Sequence, residues 1–233
     1  MAKKRTIVGE NLTPALLGEL GAVDRFPRTP ASFKPDGNWT NKYRIWTCHG
    51  YRESGNETVG SLEITRRADS AKTFLLTVRR EVIQTDELTN VIEATIRCRA
   101  DRLASPRQWK VSSRFTDADR REIAELSNDE QGGIAEQAGR VTGDWCLFEA
   151  VQRLEFDERT SLSFDLLEGM SLSKTGQRLS YRGTFPTKTG AEGRRLHCFS
   201  QLGHGILPCE YWLDDRHRLL AVISMNKAYI LDR

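Results

Sequence analysis

The sequence predicts a mainly β fold with a helical insert: a strongly curved antiparallel sheet, an open half-barrel, with one helix packed on its concave face. Three observations lead there. Residues 194–231 (RRLHCFSQLGHGILPCEYWLDDRHRLLAVISMNKAYIL) are short apolar runs broken by Gly203, Gly205, the Asp214-Asp215 pair and Asn226, the pattern of an antiparallel meander. Five earlier segments alternate apolar and polar residues, with turn-forming residues between them. One segment, residues 145–154, instead spaces its apolar residues for a helix.

In chain order, residues 1–41 read as an arm ahead of a single β-rich domain, residues 42–233. Thr13 and Pro14 suit the N-cap and first position of a short helix over residues 15–20. Pro27, Pro30 and Pro35 then interrupt regular structure, and Asp36-Gly37 marks a turn. Such an arm packs across a sheet or reaches a neighbour, so an oligomer formed through residues 1–41 is one expectation.

Strands are expected over residues 42–52, with Tyr43, Ile45, Thr47, His49 and Tyr51 on one face, and over 58–67, beyond the Ser54-Gly55-Asn56 turn. Three more follow over residues 72–84, 90–100 and 108–115. The acids of Thr116-Asp117-Ala118-Asp119 mark a helix start, which Ile123 and Leu126 extend. Residues 128–139, rich in Gly and Glu, read as a loop. Asp144 then caps a helix whose stripe is Trp145, Leu147, Phe148, Val151 and Leu154, with Glu149 and Arg153 nearer solvent. Strands over residues 160–167 and 177–183 lead into the terminal meander.

Composition is that of an ordinary globular chain: 233 residues, 29% charged, 38% hydrophobic, net charge +3. No apolar run approaches the roughly 18 residues of a membrane span. The charged start Met1–Arg5 is not followed by a clean apolar stretch. The expectation is a cytoplasmic protein, or a periplasmic or exported one whose leader has been removed. The strand region 42–114 is basic, with 14 Lys or Arg against 9 acids, and residues 115–175 are acidic, with 6 against 14. A basic concave sheet would favour an anionic ligand; the other reading is Arg and Lys on a solvated strand face. Cys48, Cys98, Cys146, Cys198 and Cys209 include no CxxC pair, which excludes a zinc ribbon or a thioredoxin-type motif. Buried thiols account for them, with a Cys198–Cys209 disulfide as the alternative.

The segments 144–154 (DWCLFEAVQRL), 163–167 (SFDLL) and 176–179 (GQRL), with the strand, acidic turn and strand of Tyr211–Asp215 and Arg218–Leu220, together resemble the LolA/LolB-like superfamily of bacterial envelope proteins. The resemblance covers the order of elements over residues 42–231. It implies a half-barrel sheet with a helix lining its concave side and a carrier role in the envelope. It brings no catalytic residues. The long arm, the missing leader and the Arg-rich strands depart from the pattern.

Candidate chemistry is sparse. His49, His197, His204 and His217 offer no HxH pair and no helical i, i+4 spacing, so no metal site and no cofactor is expected. There is no GxSxG motif. Gly203-His204-Gly205 is the most unusual local feature, because a His between two glycines belongs in a tight turn that presents its ring at a rim. If the protein is an enzyme, His204 and His49 are the catalytic candidates. Arg44, Trp46, Arg195 and Trp212 are the ligand-binding candidates, since Trp stacks on sugar rings and Arg pairs with carboxylate. The alternative places the tryptophans in the core and the arginines at its edges. No RNP-like motif is present, so nucleic acid is not an expected partner. Three functions follow: a non-catalytic binding or carrier module for a small molecule, lipid or saccharide; a lyase or hydrolase acting on an acidic saccharide; or an assembly subunit.

Overall fold

Thirteen strands form one sheet in the computed structural model, which describes residues 12–47, 57–134, 140–187, 194–225 and 227–232. The first six run as an antiparallel meander: β1 (Trp39–Thr47), β2 (Glu57–Ala68), β3 (Thr73–Thr85), β4 (Leu88–Arg99), β5 (Pro106–Thr116) and β6 (Asn128–Gly133). The chain then enters the opposite edge of the sheet at β7 (Val141–Gly143). It walks back through β8 (Ser161–Glu168), β9 (Leu172–Thr187), β10 (Arg194–Leu202), β11 (Cys209–Leu213), β12 (Leu219–Ser224) and β13 (Lys227–Leu231), and β13 pairs with β1. Every pairing is antiparallel except β7 with β8, which is parallel.

This connectivity requires curvature. A flat sheet would hold β6 and β7 about 58 Å apart, twelve spacings of about 4.8 Å. The seven residues between them reach at most about 28 Å. The sheet therefore curls until its edges approach. β7 lies beside β5 with Cα atoms within 8 Å, and the Thr142 hydroxyl donates to the Leu103 carbonyl at 2.6 Å. No ladder joins the edges among the described residues, so the barrel stays open.

Inside it lies α2 (Asp144–Ala150), continued by a 3₁₀ turn over Val151–Arg153. Every side chain from Trp145 to Gln152 is buried, as expected for a helix enclosed on all sides. Phe148 meets Tyr43, Tyr229 and Tyr211 edge to face at 5.5, 5.5 and 6.4 Å. Gln152 accepts from the Leu219 amide at 3.2 Å and donates to the Phe148 carbonyl at 2.8 Å.

Enclosure corrects the solvent-facing placement of Glu149, which is fully buried. Its carboxylate accepts from Arg66 Nε at 2.8 Å, Arg153 Nε at 2.7 Å and Arg153 Nη2 at 2.9 Å. A buried charge is tolerable only when paired and hydrogen-bonded in this way.

The other face of the central strands is covered too. Residues Arg44, Ile230, Ala221 and Trp212 stand opposite one another along one row, pointing away from α2. All but Arg44 are buried. Arg44 donates to the Ala22 carbonyl at 3.1 Å, which places the N-terminal segment on this outer face. That segment carries α1 (Pro14–Glu19), capped by Thr13, whose hydroxyl accepts from the Leu16 amide at 3.2 Å. Leu16, Leu17, Val23 and Phe26 join the core.

Four other expectations change. The helix over residues 116–126 shrinks to a turn and one 3₁₀ turn over Ala124–Leu126, because its few apolar residues find no face to bury. Residues 128–133, read as loop, form edge strand β6. Cys198 and Cys209 are free thiols. Cys198 shares the outward row of Trp212, whereas Cys209 shares the inward face of Tyr211, so no disulfide can join them. The helix N-cap is Gly143, with Asp144 in the first turn.

Phe148→Ala should lower stability by about 3–5 kcal/mol in urea unfolding; a loss below about 1 kcal/mol would place the ring outside the core. Glu149→Ala should also lose about 3–5 kcal/mol, because it strands the buried Arg66 guanidinium and the half-buried Arg153. A loss within about 0.5 kcal/mol would mean that this pairing is not buried.

Candidate functional site

At the end of the barrel where α2 begins, a recess of about 360 Å³ opens between the helix and the inner face of β8–β13. Its walls are Tyr211, Tyr229 and Val222 from the sheet, Trp145 and Phe148 from α2, and Ile206 from the β10–β11 turn. Alternation puts them there: Tyr211, Val222 and Tyr229 stand opposite one another across three strands and so share one face.

Polar groups also line this space, among them Lys174 paired with Glu168 at 2.8 Å, and the states of the more enclosed ones follow from burial. Tyr211 donates to Gln201 Oε1 at 2.8 Å. Gln201 is buried, yet its Nε2 has no hydrogen-bond partner among the described residues. Asp144 accepts from the Trp145 amide at 2.9 Å and the Gly169 amide at 3.3 Å. Desolvation nevertheless pushes its carboxyl up to about 6, with the Glu168 charge adding to the rise. Burial pushes the Cys209 thiol up to about 12 and the Tyr211 phenol well above its usual range. The recess thus holds no thiolate or phenolate at neutral pH. It can offer amide N–H donors and an aromatic wall.

The Gly203-His204-Gly205 turn forms at this rim. Gly205 has φ +70°, and a Cβ at Gly203 would lie 2.2 Å from Gln177 Oε1. Buried Gln177 donates to the His204 carbonyl at 3.0 Å, and Lys174 to the Gly205 carbonyl at 2.6 Å. The turn's backbone edges the recess while the His204 residue is exposed beside it. His49 lies outside the described residues.

The ligand-binding quartet does not assemble. Trp46 and Trp212 are buried on the outer face, so neither presents a free ring, and Trp212 packs against Phe185 at 5.5 Å. Arg44 is held by Ala22 and Asp232. Arg195 is exposed on β10, one position out of phase with Leu196 and Cys198 and so on the opposite face from Trp212. The basic strand face is outward and carries ion pairs: Lys42 pairs with Glu63 at 2.8 Å, Arg79 with Glu93, and Arg114 with Asp129 at 2.7 Å. These pairs stand along a groove of about 770 Å³ on the outside of β2–β5.

Gln201 escaped the sequence reading. A Gln in a strand carries no motif; only the register that buries it beside Tyr211 marks it. At the opposite end, a recess of about 640 Å³ is lined by Arg66, Arg153, Gln152 and His217. The two arginines there are already bound to Glu149 and to backbone carbonyls. Among the described residues no group of three or more His, Cys, Asp or Glu side chains could hold a metal ion. No helix among them is long and apolar enough to cross a membrane.

No family model matches the chain, and no curated protein does. Among solved structures, a beta-barrel-like protein of the domain of unknown function DUF1849 from Brucella abortus is similar. It aligns at a TM-score of 0.50 with 7% identity, covering 84% of this chain and 96% of that chain. That likeness shows a barrel-like curved sheet and nothing about activity. It supports a curved-sheet fold and does not by itself show the LolA/LolB-like superfamily.

Asp144 supplies a pH test. Its folded carboxyl sits above the usual Asp value, so the folded chain binds this proton more tightly than the unfolded chain. Stability from this group is present below about pH 4 and is lost as pH rises through about 6. Asp144→Asn should remove that slope and stabilise the protein at pH 8 by about 1–2 kcal/mol, discounted for partial exposure. Urea unfolding at pH 4.5 and 8 checks this; an equal effect at both would contradict it.

Proposed function

We propose that this chain is a non-catalytic binding module that holds a small, neutral, amphipathic molecule in the recess beside the start of α2. The observation that carries the reading is the unpartnered Gln201 Nε2, a buried donor on a residue that lines a space walled by aromatic and aliphatic side chains. A buried donor left unmade costs about 1–3 kcal/mol, which a ligand acceptor recovers. The volume falls in the ordinary range of small-molecule sites, about 300–1,000 Å³. Asp144, Glu168 and Lys174 line the recess; Lys174 pairs with Glu168 at 2.8 Å, which leaves Asp144 to disfavour an anionic head group. A carbonyl, ether or hydroxyl acceptor fits better than a carboxylate.

A second feature supports an apolar body. Leu172, Leu202, Leu207 and Met225 are exposed on the β8–β9, β10–β11 and β12–β13 hairpin tips, at the same end as the recess. Exposed apolar residues grouped round a mouth suit loading of a poorly soluble molecule. A carrier role in the bacterial envelope rests only on the resemblance of residues 42–231 to the LolA/LolB-like pattern.

Prodan, a neutral naphthyl ketone, is a suitable probe. Its fluorescence should rise and saturate on titration with the protein. Gln201→Leu should weaken binding about fivefold, the equivalent of one hydrogen bond near 1 kcal/mol. Failure of prodan to saturate, or unchanged affinity in Gln201→Leu, would overturn the assignment.

A further inference from the structure

At the far end of the barrel from the recess, His197 of β10 sits in a chain of hydrogen bonds that the binding function does not use. Its Nε2 lies 2.9 Å from Asp215 Oδ1, and its Nδ1 lies 2.8 Å from the Tyr181 hydroxyl. The Thr184 hydroxyl is 3.0 Å from the Tyr181 oxygen and 3.2 Å from His197 Nδ1, so the shorter Tyr181 contact at 2.8 Å is the main one to that nitrogen. Phe156 stacks on the imidazole with centroids 3.7 Å apart and planes 7° apart, and His217 stacks on the other face of Phe156 at 3.9 Å. The ring is thereby fixed in plane as well as in direction.

This geometry sets the tautomer. A carboxylate only accepts hydrogen bonds, so the Nε2 facing Asp215 carries the proton. Nδ1 is then an acceptor, and the Tyr181 O–H donates to it. The order is orienting carboxylate, base and hydroxyl nucleophile, the arrangement that activates a weak nucleophile on unrelated folds. Tyr181 is half-buried, while the Asp215 side chain is 77% exposed, so the chain runs from inside the sheet to solvent. Both residues are set by long-range register: Tyr181 pairs with Phe199, two positions beyond His197, and Asp215 belongs to the turn after β11.

We propose that Asp215, His197 and Tyr181 form a second, chemically competent site in which Tyr181 accepts an acyl group from a small activated ester. The Tyr181 oxygen attacks the ester carbonyl carbon while His197 Nδ1 takes the phenol proton. The bond from the carbonyl carbon to the leaving oxygen then breaks, and the imidazolium returns that proton to the departing alkoxide or phenoxide. The products are O-acyl Tyr181 and a free alcohol or phenol. Asp215 acts as a positioning residue, because among the described residues its carboxylate is hydrogen-bonded to His197 and not to Tyr181. Thr184 donates toward the same Tyr181 oxygen.

The test uses the full chain with p-nitrophenyl acetate, following p-nitrophenol release and locating the acetyl group by peptide mass spectrometry. Tyr181 should acquire acetyl at least about tenfold faster than N-acetyltyrosinamide under the same conditions. His197→Asn should bring the Tyr181 rate down to that reference, and Tyr181→Phe should abolish the labelled peptide. Asp215→Asn should slow labelling several-fold at unchanged melting temperature, with partial rescue by Asp215→Glu. Asp215 is exposed, so this arm stays informative even where His197→Asn does not fold. Labelling of wild-type Tyr181 no faster than the reference would overturn the proposal. So would equal rates in wild type and Asp215→Asn. Neither outcome bears on prodan binding at the other end.

Discussion

The short link between β6 and β7 is the constraint on which the rest depends. Two meanders that share β1 and β13 at the centre of the sheet place β6 and β7 at its outer edges. Seven residues cannot bridge a flat sheet of thirteen strands, so the edges are drawn round towards each other. Curling creates an interior, and the chain that enters at β7 goes straight into it as α2. A helix in that position has no solvated side. Its one carboxylate beyond the first turn, Glu149, then requires Arg66 from β2 and Arg153 from the following 3₁₀ turn. The buried ion cluster is a consequence of topology and pins the helix to the strand that faces it.

Enclosure also decides where ligands have access. The middle of the barrel is filled by Phe148 and the three tyrosines around it. Space remains where the helix starts and where it ends. At the start, the aromatic wall and the free Gln201 amide favour a neutral amphipathic molecule. At the end, arginines already committed to Glu149 line the opening, and the His197 chain sits on the neighbouring strands. On the outside, residues 12–26 cover the strands whose outward side chains are apolar, and the uncovered strands β2–β5 carry paired charges. Among the described residues Gln201 Nε2 is one of several buried side-chain polar atoms without a hydrogen-bond partner, and it belongs to a residue that lines the recess.

Local chemistry was legible in the sequence. Period-two alternation located the strands, Thr13-Pro14 located α1, and the Gly-His-Gly segment is a tight turn at a rim. Side chains whose meaning depends on distant partners were not legible. Glu149 reads as solvent-facing on a helical wheel, since a wheel knows one buried stripe and not a barrel. Trp46 and Trp212 look like ligand platforms until the fold buries both of them on the outer face. Strand β6, with the sequence NDEQGG, has no apolar alternation because both of its faces meet water. Gln201 and the Asp215–His197–Tyr181 chain emerge only once cross-strand register is known, for their members lie up to 34 positions apart.

Curling of the sheet can be measured directly as a distance between its two edges. Spin labels carried on genetically encoded ketone side chains at Gln131 in β6 and Ser161 in β8 leave the native cysteines untouched, and both positions are exposed. Double electron–electron resonance should give a separation below about 30 Å, since β7, the neighbour of β8, lies within 8 Å of β5, the neighbour of β6. A flat or gently bent sheet would hold the labels about 50 Å apart, eleven strand spacings. A distribution centred there would contradict the enclosed helix and, with it, the recess.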